Sequence, residues 1–362
     1  MPKQSLAILA VIFAFAAACA LEAPNAGAEI LPGGSPVSKT GGVVKGFGIS
    51  PQGFPLDYSH FGDFLEEVGA FPNGGVMFNG AWRNDVEGGT DAGVPPETAV
   101  AIVRDAADYG YTPVVVFGWR SDDGDLHLSL PANISDDWTN QEAQVAFESM
   151  LVEFAGAYHP PYIFLGNESD AYYMAQPEDY SRWVEFYNRA YASVKAVSPE
   201  TLIGPIFQFE RLSGQGALNN WNIPYWGALE AHDLARIDIL GITLYPWLAY
   251  RAPDEIPDDY LAPLLERIGE LPLAITETGW PGENLGLETP WEQSPEAQLA
   301  YIEALDSILD NVHVEILNWL LLHPMARLES NLVFWQTFGS LSLRDAEGNK
   351  CPAYDAWADF QP

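Results

Sequence analysis

The sequence predicts a single (β/α)8 TIM barrel, and three observations support this fold class. Eight apolar, strand-like segments alternate with seven amphipathic, helix-like segments between residues 45 and 321. No stretch of linker composition is long enough to divide this region into two domains. No Gly-x-Gly-x-x-Gly follows the first strand candidate, which argues against a dinucleotide-binding doubly wound sheet. Regular alternation of this kind is typical of a parallel barrel inside a ring of helices.

The strand candidates are continuous apolar runs rich in Val, Ile, Leu and Phe. A strand of a parallel sheet is buried on both faces, so its sequence does not alternate between apolar and polar residues. Runs of this type occur at 45–50, 75–79, 113–118, 162–166, 201–206, 237–244, 272–276 and 314–321.

Between the strand candidates, apolar residues recur every three or four positions, as an amphipathic helix requires. ETAVAIVRDAADYG and SPEAQLAYIEALDSILD show this spacing, and Ser294 with Glu296 marks a helix start in the second of them. The helix candidates are 58–69, 97–109, 141–157, 178–197, 224–234, 258–269 and 294–310. The longest connections, near 80–96, 119–139, 207–223 and 322–345, mostly follow strands, and a barrel carries its functional loops on that side.

The N-terminal segment predicts export. Lys3 precedes an apolar run from Leu6 to Leu21, which is slightly shorter than the ~20 residues of a membrane span. We therefore expect a signal peptide at 1–28, a flexible leader at 29–44 and the barrel at 45–362. Cleavage before Cys19, with a lipid anchor on that cysteine, is the alternative. The expected location is extracellular or periplasmic.

Two motifs carry the chemistry that this barrel would need. In YIFLGNESD, at 162–170, and in LAITETGWPG, at 273–282, an apolar run leads directly into a glutamate. These glutamates, Glu168 and Glu277, fall at the carboxyl ends of the fourth and seventh strand candidates. Barrels place their reactive groups at that end of the strands, and glycoside hydrolysis uses a pair of carboxyl groups there.

Asn-Glu after the fourth strand and Glu after the seventh resemble the clan A retaining glycoside hydrolases. Tyr245, in Tyr245-Pro246-Trp247 after the sixth strand, and Trp319, in the eighth, extend the resemblance. It implies that Glu277 is the nucleophile and Glu168 the acid/base. It also implies that Tyr245 holds Glu277, that Asn167 binds the sugar 2-hydroxyl and that Trp319 lies beneath the substrate.

Retaining enzymes hold the two carboxyl groups ~5–5.5 Å apart, and the acid/base needs a raised pKa while the nucleophile stays ionised. Tryptophans at the strand ends are candidate sugar platforms, although any one of them could equally be part of the core. The best placed are Trp119 and Trp280, each directly after a strand end, and Trp247 is a further candidate. The clan often has an arginine in the second strand, but this strand reads Val76-Met77-Phe78-Asn79. Arg83 or Arg120, just beyond strands two and three, could replace it or could form surface ion pairs.

Charge constrains the partners. The chain carries 50 acidic and 16 basic residues, a net charge of −34. Such a protein repels nucleic acid and anionic membranes, so we expect neither as a partner. Uronate-rich polysaccharides would be repelled as well, which favours a neutral polysaccharide or oligosaccharide substrate, although adaptation to salt would explain the same charge. No zinc-ligand cluster or phosphate loop occurs, so we expect no cofactor and no bound metal, and we expect a monomer.

Two families of the clan compete for the closer resemblance. Gly166-Asn167-Glu168 with Tyr245-Pro246-Trp247 is similar to the family 53 endo-β-1,4-galactanases, and the C-terminal phrase SLSLRDAEGNKCPAYDAW fits that side. Thr276-Glu277-Thr278-Gly279-Trp280-Pro281, together with YPWLAY at 245–250, is equally reminiscent of the family 17 endo-β-1,3-glucanases. The resemblance implies a secreted retaining endo-β-glycosidase with a galactan-like substrate. A family 17 glucanase and a non-catalytic glycan-binding barrel remain as alternatives.

Overall fold

A computed structural model describes residues 42–82, 94–119, 137–286, 288–326 and 333–362. Within these ranges a single parallel sheet has the strand order β5-β4-β3-β2-β1-β9-β8-β7-β6. The strands are β1 Val44–Gly48, β2 Gly74–Ala81, β3 Thr112–Gly118, β4 Tyr162–Leu165, β5 Leu202–Gly204, β6 Ile206–Gln208, β7 Leu240–Leu244, β8 Leu273–Thr278 and β9 Val314–Trp319.

The two edges of this sheet belong to one chain segment, so the sheet closes into a barrel. β5 pairs with β4, and β6, directly after Pro205, pairs with β7. Proline has no N–H to give to a strand ladder, so the regular hydrogen bonding of the strand is interrupted at that residue. Its carbonyl still accepts a hydrogen bond from Gly241 at 2.9 Å. β5 and β6 are therefore the two halves of the fifth barrel strand, and the predicted (β/α)8 barrel is confirmed.

The helices follow the strands in the predicted order. They are α1 Phe61–Gly69, α2 Glu97–Tyr109, α3 Gln141–Tyr158, α4 Asp170–Ala175, α5 Pro177–Val197, α6 Phe209–Ser213, α7 Gly227–Glu230, α8 Ala262–Ile268, α9 Pro295–Ile308, α10 Val333–Gly339 and α11 Pro352–Asp359. The short helices α4, α6, α10 and α11 lie in segments that the sequence analysis left without helix candidates. The first strand begins at Val44, one residue inside the predicted leader.

The core has two layers. Inside the barrel, mostly aliphatic side chains from nearly every strand form one cluster: Val44, Met77, Val114, Val116, Tyr162, Phe164, Ile206, Ile239, Ala274 and Ile316. A larger cluster fills the space between the strands and the helices. Because the interior is filled, the barrel is a packed scaffold rather than a pore, and polar groups gather at the carboxyl ends of the strands.

The C-terminal helix packs against the start of the first strand. The ammonium group of Lys45, in β1, donates to the carbonyls of Trp357, Ala358 and Phe360 at 2.6–2.8 Å. These carbonyls lie at the C-terminal end of α11, where a cation is favourable. The helix thereby presents Trp357 to the outer side of the barrel, where its ring meets Trp319 at 5.2 Å.

Candidate active site

The turn after β4 places Glu168 in the mouth of the barrel. Gly166 has φ +75°, and a Cβ there would lie 2.4 Å from the indole nitrogen of Trp119, so this position requires glycine. Glu168 itself has φ +49°, a left-handed conformation that is unfavourable for a residue with a Cβ. The next residue, Ser169, donates its N–H to the carbonyl of Ile206 at 3.0 Å. This contact with the fifth strand holds the turn in place.

Three neutral donors surround the carboxyl group of Glu277, in β8. Its Oε1 accepts from the amide of Asn79 at 2.8 Å and from the amide of Asn167 at 3.3 Å. Its Oε2 accepts from the hydroxyl of Tyr245 at 2.9 Å. These donors come from β2, from the turn after β4 and from the residue after β7, so the barrel brings together groups that are far apart in the chain.

The surroundings of Glu168 are different because they include a cation. Its Oε2 accepts from the Arg211 guanidinium at 3.1 Å, and its Oε1 accepts from the Thr243 hydroxyl at 2.8 Å. Arg211 also donates from Nε to Asp170 at 2.6 Å. Arg211 and Glu168 are each only 2% exposed, and Asp170 is fully buried.

Strand register shows that the two glutamates share one site. Thr243 of β7 is the register partner of Glu277 of β8, and the Thr243 hydroxyl donates to Glu168. Asn167 donates to Glu277 and is the chain neighbour of Glu168. The structure therefore brings Glu168, Asn167, Tyr245 and Glu277 together.

Burial changes the acidity of both carboxyl groups. Desolvation, reinforced by the negative charge of Glu168, raises the pKa of Glu277 to about 7, although its three donors act in the opposite direction. Desolvation also raises the pKa of Glu168, against the effect of the Arg211 cation. The resemblance implied a raised pKa for Glu168 alone. Glu277 is also buried, only 2% exposed, and its hydrogen-bond donors among the described residues are all neutral.

The four candidate platform tryptophans are buried in the packing layers. Trp319 lies between Tyr301 and Trp357 and donates its indole N–H to the Leu341 carbonyl at 2.5 Å. Trp119 packs against Trp138 and Trp183. The exposed fraction of each of these indoles is at most 1%.

Trp280 and Trp247 are enclosed in the same way. Trp280 packs on Tyr301 and donates to the carbonyl of Glu292, whereas Trp247 packs among Tyr245, Trp291 and Phe338. The four indoles are therefore part of the packing around the site. Because they are buried, the structure does not support the prediction that they stack on a sugar. Arg83 and Arg120 lie outside the described residues.

The sequence analysis missed Asn79, Asp170, Thr243 and Arg211. Asn79 lies in the second strand, where the resemblance leads us to expect an arginine. Its amide donates to the carboxyl group of Glu277. Asp170 follows the Asn-Glu motif by two residues and carried no separate signal. Arg211 lies in the segment 207–223, which the sequence predicts to be a loop. No local pattern in that segment indicates its contacts with Glu168 and Asp170.

A further buried carboxyl group, Glu210, lies next to the site. It accepts from the backbone N–H of Tyr245 at 2.9 Å and from the hydroxyl of Tyr260 at 3.1 Å, and Gln208 also donates to it. Burial raises its pKa to about 7. Glu210 thus connects the fifth strand to the residue that holds Glu277.

Within the described ranges, no group of three or more His, Cys, Asp and Glu side chains is arranged to hold a metal ion. No helix in the same ranges has the length and apolar character needed to cross a bilayer.

Solved structures similar to this chain include several glycosidases. An exo-β-1,4-mannosidase from Opitutaceae bacterium strain TAV5 aligns with a TM-score of 0.62 and 18% identity over 88% of this chain and 59% of its own. A β-galacturonidase from Eisenbergiella tayi aligns at 0.55 and 16%, over 88% of this chain and 50% of its own. A β-glucuronidase from Bifidobacterium dentium aligns at 0.57 and 10%, over 88% and 46%.

At these identities the similarity shows a shared barrel fold. The chain spans about half the length of these proteins. No protein-family profile matches the chain. No curated protein matches it either.

Proposed function

We propose that this protein is a glycoside hydrolase that acts with retention on a neutral β-linked glycan. The observation that carries the proposal is the pair of buried carboxyl groups, Glu168 and Glu277, linked through Thr243 and Asn167 at the mouth of a barrel. The fold is shared with a mannosidase, a glucuronidase and a galacturonidase, which supports the same reaction class for this chain.

The proposed reaction is a double displacement. Glu277 attacks the anomeric carbon while the bond from that carbon to the leaving oxygen breaks, and Glu168 gives its proton to that oxygen. Glu168 then removes a proton from water, and the water oxygen displaces Glu277 from the anomeric carbon. The three donors on Glu277 suit a nucleophile because they hold both of its oxygens in a fixed orientation.

A neutral substrate fits the charges at the site. The cation that the described residues place there, Arg211, is already engaged by Asp170 and Glu168. A uronate would add a further negative charge next to two glutamates, in a protein whose net charge is −34. We propose a galactan-like, endo-acting substrate preference, with a β-1,3-glucan as the alternative. Secretion of the mature protein, with or without a lipid anchor at Cys19, belongs to the same proposal.

The first test measures the release of reducing ends from galactan, laminarin, mannan, xylan and polymannuronate, a β-linked polyuronate. We expect hydrolysis of a neutral glycan, with galactan first, and none of polymannuronate. Glu168→Gln and Glu277→Gln are the matched inactive controls. Binding to a glycan without any hydrolysis would favour a glycan-binding barrel and overturn the proposal.

The second test assigns the nucleophile. A 2-deoxy-2-fluoro glycoside with a good leaving group slows the breakdown of the covalent intermediate. We expect peptide mass spectrometry to find the fluorosugar on Glu277. A label on Glu168 or on another residue would contradict the assignment.

A further inference from the structure

Glu168 must be protonated to act as the general acid, yet a cation lies next to its carboxyl group. In the proposed reaction it must hold a proton until the leaving oxygen takes it, yet the Arg211 guanidinium lies 3.1 Å from its Oε2. A cation at this distance favours the ionised carboxylate. Another group must therefore offset the effect of Arg211, because otherwise Glu168 would lose the proton that it has to donate.

Asp170 is the group that offsets the charge of Arg211. Its Oδ2 accepts from the Nε of Arg211 at 2.6 Å, a shorter contact than the one to Glu168, and its Oδ1 accepts from the backbone N–H of Gln208 at 2.9 Å. Asp170 is fully buried and forms the first residue of α4, two positions after Glu168. Its negative charge compensates Arg211 and also acts directly on Glu168, where it opposes ionisation.

Trp221 packs against the guanidinium of this buried group. The Arg211 guanidinium carbon lies 5.1 Å from the centroid of the Trp221 ring. A cation over an aromatic face is stabilised, and exclusion of water strengthens the interactions among the enclosed charges. Charges placed this way interact more strongly than charges at an exposed surface.

We propose that Asp170 and Arg211 form a positioning pair that keeps the proton on Glu168 while Glu277 is ionised. Arg211 holds the Glu168 carboxyl group in place through its fork of donors, and Asp170 prevents the arginine charge from stripping the proton. The groups that act on Glu168 include Arg211, Asp170, Glu277, Tyr245 and the Thr243 hydroxyl. This inference rests on the proposed function.

The test uses two single variants whose effects have opposite sign. Asp170→Asn keeps the shape and the acceptor for Gln208 but leaves the Arg211 charge uncompensated, so the alkaline limb of kcat/KM should move to lower pH. Arg211→Met leaves Glu168 next to the Asp170 charge, so the limb should move to higher pH. Each shift should be about 1 to 3 pH units.

A double variant keeps the test valid if one single variant does not fold. Arg211→Met leaves a buried aspartate without its cation, a change that destabilises proteins. Asp170→Asn with Arg211→Met removes both charges and should return the limb to a position between those of the single variants. Arg189→Met, which breaks an outer ion pair to Glu148 between α3 and α5, is the control and should leave the limb unchanged.

A titration that does not depend on turnover separates this inference from the proposed function. In protein labelled with ¹³C at the glutamate δ-carbons, Glu168→Gln identifies the Glu168 signal, whose midpoint should move down in Asp170→Asn and up in Arg211→Met. Hydrolysis by the wild type with no opposite shifts would overturn the inference alone. Opposite shifts in the two variants, together with a wild-type protein that cleaves no glycan, would overturn the proposed function alone.

Discussion

The surroundings of Glu277 and of Glu168 differ in one respect, which is the charge of their partners. Glu277 accepts hydrogen bonds from two amides and a phenol, all neutral. Glu168 accepts from a guanidinium and a hydroxyl, and a second carboxylate shares that guanidinium. Neutral donors fix the orientation of a carboxyl group and leave it able to gain a proton. A shared cation allows the balance of charges to determine where the proton resides.

Glu210 extends this comparison to a third carboxyl group. Like Glu277, it is fully buried with neutral donors, and the pKa of each is raised to about 7. In both, desolvation is the largest cause, and hydrogen bonds oppose it only partly. Burial therefore outweighs the neutral hydrogen-bond donors in setting the pKa of these two carboxyl groups.

The largest expected effect is the loss of the nucleophile. Glu277→Ala should lower kcat by more than the roughly 10²- to 10⁴-fold that general acid–base catalysis contributes, because no covalent intermediate can form. Azide should restore turnover and give a glycosyl azide of inverted, α configuration, identified by NMR. A β-configured azide would reverse the roles of the two glutamates.

Removal of the acid/base should cost less. Glu168→Ala should lower kcat by about 10²- to 10⁴-fold on a glycan, where the leaving oxygen needs a proton. A dinitrophenyl glycoside, whose leaving group needs none, should retain far more activity in the first step. Azide should give a β-configured product. Equal losses on both substrates would exclude a proton donor role for Glu168.

A smaller effect is expected when Glu277 loses one donor. Tyr245→Phe removes a hydrogen bond to a charged group, worth about 1.5–3 kcal/mol, which corresponds to roughly 10- to 150-fold in kcat/KM. The hydrogen bond from Tyr245 lowers the pKa of Glu277. Its loss should therefore raise that pKa above about 7 and move the acid limb of the pH profile to higher pH. Tyr187→Phe, which removes a hydroxyl that donates to the backbone carbonyl of Arg236, is the control. An unchanged acid limb in Tyr245→Phe would show that this donor does not act on Glu277.

The last expected effect concerns stability rather than catalysis. The pKa of Glu210 is about 7 in the folded protein and near 4.5 in the unfolded chain. Between these values only the folded state holds the proton, so stability falls as pH rises from 4.5 to 7 and stays reduced above 7. Glu210→Gln should therefore flatten the fall in Tm over this interval by several degrees, as expected for about 3 kcal/mol.

The matched control for that measurement is Glu266→Gln, a change at an exposed position of α8. Its Tm profile should follow that of the wild type. If Glu210→Gln has the wild-type slope as well, Glu210 is ionised in the folded protein, and the common behaviour of Glu210 and Glu277 is lost.

Much of the fold was predictable because its signals are local. Strands such as β3 and β8 are continuous apolar runs, and α2 and α9 carry clear apolar periodicity. The short helices α6 and α10 were not predicted, since five to seven residues are too few to show a period. The fifth strand was predicted as one piece, and its two halves pair with different neighbours on either side of Pro205.

The sequence by itself determined the barrel and the strand ends that carry Glu168, Tyr245 and Glu277. Buried parallel strands are composed of recognisable residues, and their carboxyl ends must meet on one side. Only the tertiary structure decided which groups touch these carboxyl groups. Asn79, Asp170 and Arg211 reach them through strand register and barrel closure, and the tryptophans turn into the core by the same geometry. Contacts between residues separated by tens to hundreds of positions leave no local pattern in the chain.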